Sequence, residues 1–252
     1  MSRTHQDHCT ELEAELHRFA AVAASADPAA QVPTCPGWTV AKLLKHVGIA
    51  HRWAEHMVRN RSAEPVPPRQ VPAGVPGDPA DYPRWIADGG AALVDTLRTA
   101  PLDAPIWSWG GGHGAAFWSR RMLFETAVHR ADAEFALGAE PRVEAAVAAD
   151  GVDEFLGNLA AAGRSFTALA DLDDTGTLHF HATDTDGGEW MVTAEPGGMS
   201  WTHGHGKGDV AVRGTASDLL LLLYGRVRPG DPRYQVFGDT GLLGRWLSKT
   251  SF

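Results

Sequence analysis

Glu125 and His129 stand four residues apart in RRMLFETAVHRAD. On a helix, that spacing projects a carboxylate and an imidazole from one face. A third candidate, His46, lies upstream in WTVAKLLKHVGIAHRW, interrupting an apolar stripe of Leu43, Val47, Ala50, Ala54 and Met57. Two histidines and a glutamate facing one another across two helices form a ligand set that leaves the fourth position on zinc open. An open position is where chemistry takes place, because the ion can polarise or deprotonate what enters it. Asp132 continues the stripe and is placed to accept the free ring N–H of a ligating histidine. Spacing alone leaves a plainer account standing, in which Glu125 is solvated and His129 is a core histidine. The pattern is not H-E-x-x-H, so the helix carries no built-in protease base.

Other groups are weaker signals. His203 and His205 alternate with Gly204 and Gly206, a setting that reads as a mobile loop. His179 and His181 share one strand face and read as exposed residues. Cys35 lies just before the second helix, near the metal candidates in sequence, but small thiols are packing residues as a rule. The run from Trp107 to Gly114 follows no clear strand and lacks a P-loop lysine, so it reads as a turn or a gate rather than a phosphate cradle.

The elements that must position these groups follow from patterning. Leu12, Leu16, Phe19 and Ala23 predict a helix over about residues 4–26. An irregular entry with Pro33 and Pro36 leads to Thr39, whose hydroxyl can cap a second helix running to about Asn60. Prolines throughout 61–81 predict a long extended loop. A third helix is expected from Tyr82 to Thr99 and a fourth from Ala115 to Leu137, stopped by Gly138 and Pro141. Four helices of this length make a bundle with sites on facing helices. A fifth is expected over Val143–Ala162. Beyond it, 177–182 and 189–194 alternate around the hairpin signal Asp186-Gly187-Gly188. Further strands are expected at 198–203, 209–213 and 234–238, with helices led by Ala216 and Thr240. The change of period places a domain boundary near 164–172.

Bulk properties bound the function. The chain has 252 residues, 44% apolar and 21% charged, enough for one or two ordinary globular domains. A net charge of −9 argues against nucleic acid or an anionic membrane surface as partner. Cys9 and Cys35 make no disulfide framework, and no apolar run suits a signal or a membrane span. A soluble cytoplasmic protein, monomeric or a small homo-oligomer, is the expectation.

The stretch VPTCPGWTVAKLLKHVGIAHRWAEHM resembles the entry and second helix of the mycothiol-dependent maleylpyruvate isomerase family, within the DinB-like helical superfamily. FWSRRMLFETAVHRADAE resembles that family's fourth helix, while GTASDLLLLLYGR and VFGDTGLLGRWL resemble its C-terminal domain. Almost the whole chain is covered apart from the proline-rich loop. The resemblance implies an α+β fold in two domains. Residues 1–163 would form a DinB-like four-helix bundle with a fifth, connecting helix. Residues 164–252 would form a smaller α+β domain resembling a sterol-carrier-type fold. It also implies zinc held by His46, Glu125 and His129, and mycothiol as thiol cosubstrate. Arg226 in LLLYGRV and Arg84 in DYPRW match arginines that hold substrate carboxylates.

The implied function is to isomerise or conjugate a small electrophilic acid, as in maleylpyruvate cis–trans isomerisation. Isomerase and thiol transferase share their first steps, so the motifs do not separate them. A different class also stays open, in which the C-terminal domain holds an apolar ligand and the bundle is scaffold. Substrate choice would fall to the loops at 61–81 and 103–114.

Overall fold

Threonine hydroxyls open helices in both halves of the chain. Thr4 accepts from the backbone of Asp7, whose carboxylate returns the bond to the Thr4 N–H, and this capping box starts α1, His5–Ser25. Thr39 caps α2, Val40–Arg59, by accepting from Lys42 N. Pro83 in the first turn suits the start of α3, Tyr82–Thr99. The fourth helix, α4, spans Gly114–Ala136. It ends in a Schellman motif: Gly138 takes φ 72°, its N–H bonds Phe135 O, and Ala139 N–H bonds Glu134 O. The computed structural model describes residues 3–162, 175–196 and 198–250.

The chain divides into two compact units, Met1–Ser108 with Gly112–Pro141, and Trp109–Gly111 with Arg142–Phe252. In the first, α1 packs on α3 and α4, and α2 packs on the same two, so α1 and α2 occupy opposite corners of a four-helix bundle. Leu12, Leu16, Phe19, Leu43, Leu44, Val47, Ile86 and Leu93 fill its core. The α2–α3 seam is close: a Cβ on Gly48 would stand 2.0 Å from the Trp85 ring. Arg52 clamps that ring, its guanidinium carbon 4.2 Å from the centroid and its Nη2 donating to Trp85 O. Between α1 and α4 the buried Arg130 pairs with Glu15 at 2.7 Å and with Glu134 at 2.7 Å.

In the second unit, α5 spans Ala145–Ala162. The strands are β1 Gly176–Ala182, β2 Glu189–Glu195, β3 Gly198–His203, β4 Val210–Gly214 and β5 Gln235–Gly238. Helix α6, Ala216–Leu223, follows β4, and α7, Thr240–Thr250, follows β5. The sheet order is β3-β2-β1-β4-β5, with β1 and β4 parallel and the other neighbours antiparallel. Leu178, Phe180, Trp190, Val192, Val210 and Val212 share its apolar face and are fully buried. The alternation that predicts these strands sends His179, His181, Glu189 and Met191 to the opposite face.

Patterning attaches the fifth helix to the bundle through residue 163, whereas the structure packs it in the second unit. Its buried residues Val152, Phe155, Leu156 and Leu159 give it an apolar face, and it packs against α6 and β3. The stretch 164–172, where the patterning changes, lies outside the described residues, which stop at 162 and resume at 175. No helix among the described residues is long and apolar enough to cross a membrane.

Candidate metal centre

The entry to α2 is built as a tight turn. Cys35 N–H bonds Val32 O, Trp38 N–H bonds Cys35 O, and Val32 N–H bonds Trp38 O. Gly37 takes φ 78°, a conformation that side chains resist, while the prolines on either side of Thr34 and Cys35 stiffen the approach. The turn carries Thr34, Cys35 and Trp38 to the same corner of the bundle as the inner stripe of α4.

At that corner His46, Glu125 and His129 converge, with one possible ligand atom from each within 4.8 Å of the others. Glu125 Oε1 is 3.0 Å from His46 Nε2 and 3.4 Å from His129 Nε2. The two imidazole centres are 5.0 Å apart at 80°. Side-chain exposure falls from 43% at His46 through 20% at Glu125 and 10% at His129 to 0% at Asp132, so the group opens to solvent on the α2 side. His46 therefore lies at the rim of the apolar stripe that it interrupts in sequence.

Asp132 orients the buried end. Its Oδ2 accepts from His129 Nδ1 at 2.8 Å and from the Cys35 thiol at 3.4 Å, while Thr34 donates to Oδ1. With Nδ1 committed, His129 presents Nε2 to Glu125. Arg121, one turn before Glu125, donates to its Oε2 at 3.3 Å and leaves Oε1 facing the imidazoles. The Trp38 ring meets the His46 ring edge-on at 5.1 Å and stacks on His129 at 6.4 Å.

The charges are coupled. Burial pushes the Glu125 carboxyl up, but hydrogen bonds from His129 and His46 and the nearby positive charges outweigh it and hold it well below its ordinary range. Burial likewise pushes His129 down, yet Asp132 and Glu125 prevail and raise it to about 9. Two nitrogens and a carboxylate oxygen, one imidazole locked in tautomer by a buried carboxylate, fit a divalent ion of the zinc type. Cys35, His129 and Asp132 also lie close enough to hold an ion. Asp132 is occupied there by Thr34, Cys35 and His129, which suits an orienting role better than ligation.

Each of the two arginines has a partner close in sequence. Arg84 is 89% exposed on α3, 3.8 Å from Asp88. Half-buried Arg226 follows α6 as part of a second Schellman motif. Its N–H bonds Leu221 O, Gly225 at φ 72° bonds Leu222 O, and its Nη1 donates to Tyr224 O at 2.7 Å. The two glycine-flanked histidines part company: His203 Nε2 reaches Asp153 at 3.2 Å, while His205 Nδ1 reaches Glu189 at 2.8 Å. His179, expected to be exposed, is buried. Within the Trp107–Gly114 loop, Gly111 N–H bonds Asn158 Oδ1 at 3.0 Å, so part of it is anchored. Sequence reasoning missed Thr34 and Arg121. Arg121 stands four before Glu125, a legible helical pair, whereas Thr34 has no local signal.

Comparison with known proteins bears on the whole chain. The family model described as "Mycothiol maleylpyruvate isomerase N-terminal domain" matches residues 9–134, and the one described as "MDMPI C-terminal domain" matches 146–245. Among solved structures, the chain is similar in fold to the mycothiol-dependent maleylpyruvate isomerase, with TM-score 0.59, 15% identity and 93% of each chain covered. A histidine-to-alanine mutant of a mycothiol-dependent maleylpyruvate isomerase gives TM-score 0.62 at 14% identity, again covering 93% of each chain. No curated protein matches the chain.

Proposed function

The chain belongs to the mycothiol maleylpyruvate isomerase family, and on that premise we propose that it is a thiol-dependent isomerase of a small electrophilic acid, with mycothiol as the thiol and zinc as its metal. The observation that supports this most is the convergence of His46, Glu125 and His129 with Asp132 behind His129.

Nε2 of each histidine and a Glu125 oxygen would hold the ion. When bound, such an ion supplies Lewis acidity that makes a thiol a thiolate near neutral pH. The protein's own groups do the rest of the positioning. Asp132 keeps the proton on His129 Nδ1, and Thr34 and Cys35 hold Asp132 in place. Arg121 steers Glu125, and the Trp38 ring packs against His46.

In the reaction, the thiolate sulfur bonds to one carbon of a cis double bond conjugated with a carbonyl, and the π pair moves onto the carbonyl oxygen. The former double bond is then single and rotates. When the pair returns, the C–S bond breaks, and the thiolate leaves with the trans isomer, so no atom is gained or lost. Guanidinium groups suit the carboxylate and the enolate charge, the role proposed for Arg226 and Arg84. If a different group is expelled, the thiol stays on the product and the same site performs thiol transfer.

We also read the C-terminal unit as a sterol-carrier-type arrangement. Its apolar sheet face is filled by its own Phe180, Trp190 and Trp246, all fully buried, which weighs against the alternative of a bound apolar ligand there. Free thiols at Cys9 and Cys35 suit a reducing cytoplasm, the compartment proposed.

Zinc-loaded protein incubated with mycothiol and a series of cis-unsaturated keto acids, maleylpyruvate first, tests the reading. Trans product with thiol conserved supports the isomerase, and stoichiometric thiol loss identifies transfer. Metal-loaded protein that turns over none of them would sink the proposal. His129→Ala should lose the metal of this centre and turnover together.

A further inference from the structure

A second cluster of imidazoles lies on the face of the sheet opposite its apolar core. His179 and His181 project from that face of β1, and the hairpin register sets Glu189 of β2 directly across from His181. Glu189 Oε2 is 3.2 Å from His179 Nε2 and 2.8 Å from His205 Nδ1, and its Oε1 is 3.7 Å from His181 Nδ1. Possible ligand atoms of all four residues lie within 4.8 Å of one another. Zinc–ligand bonds of about 2.0–2.2 Å in a tetrahedron require ligand atoms about 3.3–3.6 Å apart. The three separations from Glu189 bracket that spacing, and the remaining ligand atoms lie within 4.8 Å of one another.

The chain delivers His205 to the cluster in a loop that lies close to the sheet immediately after it. A Cβ at Gly206 would stand 3.0 Å from Met191 Sδ. One at Gly208 would stand 2.7 Å from Val210 O and 3.0 Å from His179 N. Just past His205 the loop thus lies against β2 at Gly206 and so close to the backbone at Gly208 that a side chain there is excluded, and the exposed His205 turns towards Glu189. A carboxylate can accept from several N–H donors, so hydrogen bonding is the competing account of the cluster. It requires no particular number or identity of donors. Three imidazoles and one carboxylate, by contrast, are a full set for a borderline divalent ion.

We propose that His179, His181, Glu189 and His205 form a second metal centre, closed by four protein ligands and taking a divalent transition-metal ion of the zinc class. Four protein ligands leave no position for substrate, so the centre is structural. The ion would pin the 204–208 loop to the sheet, tying together β1, β2 and the passage into β4. The inference stands independently of the isomerase reading, because its four residues lie within the second unit and the other donor set lies within the first.

The test uses the full-length protein, stripped with chelator and refilled with zinc or cobalt(II), with metal counted per chain. Wild type should hold two equivalents, and His129→Ala and His205→Ala one each. The double variant should hold none. Glu189→Gln, which keeps a hydrogen-bond acceptor, should also lose one equivalent. Trypsin gives a second readout, since exposed Lys207 lies inside the loop. In the His129→Ala protein, zinc should slow cleavage after Lys207 at least tenfold, and adding His205→Ala should abolish the protection. The proposal is overturned if His129→Ala binds no metal, or if His205→Ala and Glu189→Gln each keep both equivalents. Binding of the second equivalent only at millimolar zinc would likewise reduce the cluster to a hydrogen-bonded histidine patch and overturn it.

Discussion

A fully buried carboxylate that accepts from Thr34, Cys35 and His129, as Asp132 does, fixes the imidazole in front of it. Asp132→Asn can keep one of those bonds but not the charge that favours a proton on Nδ1. Zinc affinity should fall roughly 10–100-fold, the usual effect of removing such a partner. Competition against a chromophoric chelator reads this directly, and an unchanged affinity would remove the orienting role. His51 tests a different property. Its Nε2 lies 2.9 Å from Thr126 Oγ1, whose hydroxyl donates to Met122 O, so the ring donates from Nε2. Its Nδ1 is buried without a partner, and burial lowers the pKa from 6.5 to about 4. The folded value lies below the unfolded one, so the associated stability is full above pH 6.5 and is lost as pH falls through 4. The loss should approach about 3 kcal/mol. Urea unfolding at pH 7 and pH 4.5 should show wild type weakening more than His51→Gln, and equal weakening would contradict the assignment. At this scale the sequence exposes what helical spacing encodes. Glu125, His129 and Asp132 share a stripe, whereas Thr34 meets Asp132 only because two distant segments fold together.

Helix limits were legible because capping is local: Thr39 before α2 and Gly138 after α4 mark ends that need no tertiary contact to be read. Which helices touch was not legible, since Glu15 and Arg130 meet across more than a hundred residues. The same limit misassigned α5. Its apolar face announces burial without naming a partner, and that partner, α6, comes after the whole β1–β4 segment. The His179–Glu189 cluster was half legible. Alternation put His179 and His181 on one face, but neither the register that sets Glu189 opposite His181 nor the loop carrying His205 has a local signal to read. The α2–α3 seam gives this scale its prediction. Alanine at Gly48 would gain helix propensity of up to about 1 kcal/mol. Its methyl would stand 2.0 Å from a Trp85 ring already clamped by Arg52. Overpacking of about 1–3 kcal/mol should win. Gly48→Ala should therefore melt below wild type, and an equal or higher melting temperature would mean that the ring has room to move.

Across the whole molecule, the two donor sets divide cleanly between the two compact units. Their makeup also differs: two imidazoles and a carboxylate near a solvent-facing rim in one, three imidazoles and a carboxylate under a glycine-held loop in the other. That difference separates a set that leaves room for an incoming thiol from one that a bound ion would fill. Helix α4 concentrates the demands of the first unit. From Phe117 to Ala133 every residue except Arg120 and Glu125 is buried, with Glu125, His129 and Asp132 on one stripe and Arg130 pairing with Glu15 of α1. This helix has almost no neutral face on which substitutions can accumulate. Saturation mutagenesis scored by abundance should find residues 117–133 the least tolerant stretch of the bundle, with accepted changes gathered on the outer faces of α1, α2 and α3. Divergence among proteins sharing this architecture would then follow the same map, with their sequences drifting apart around a helix that changes last.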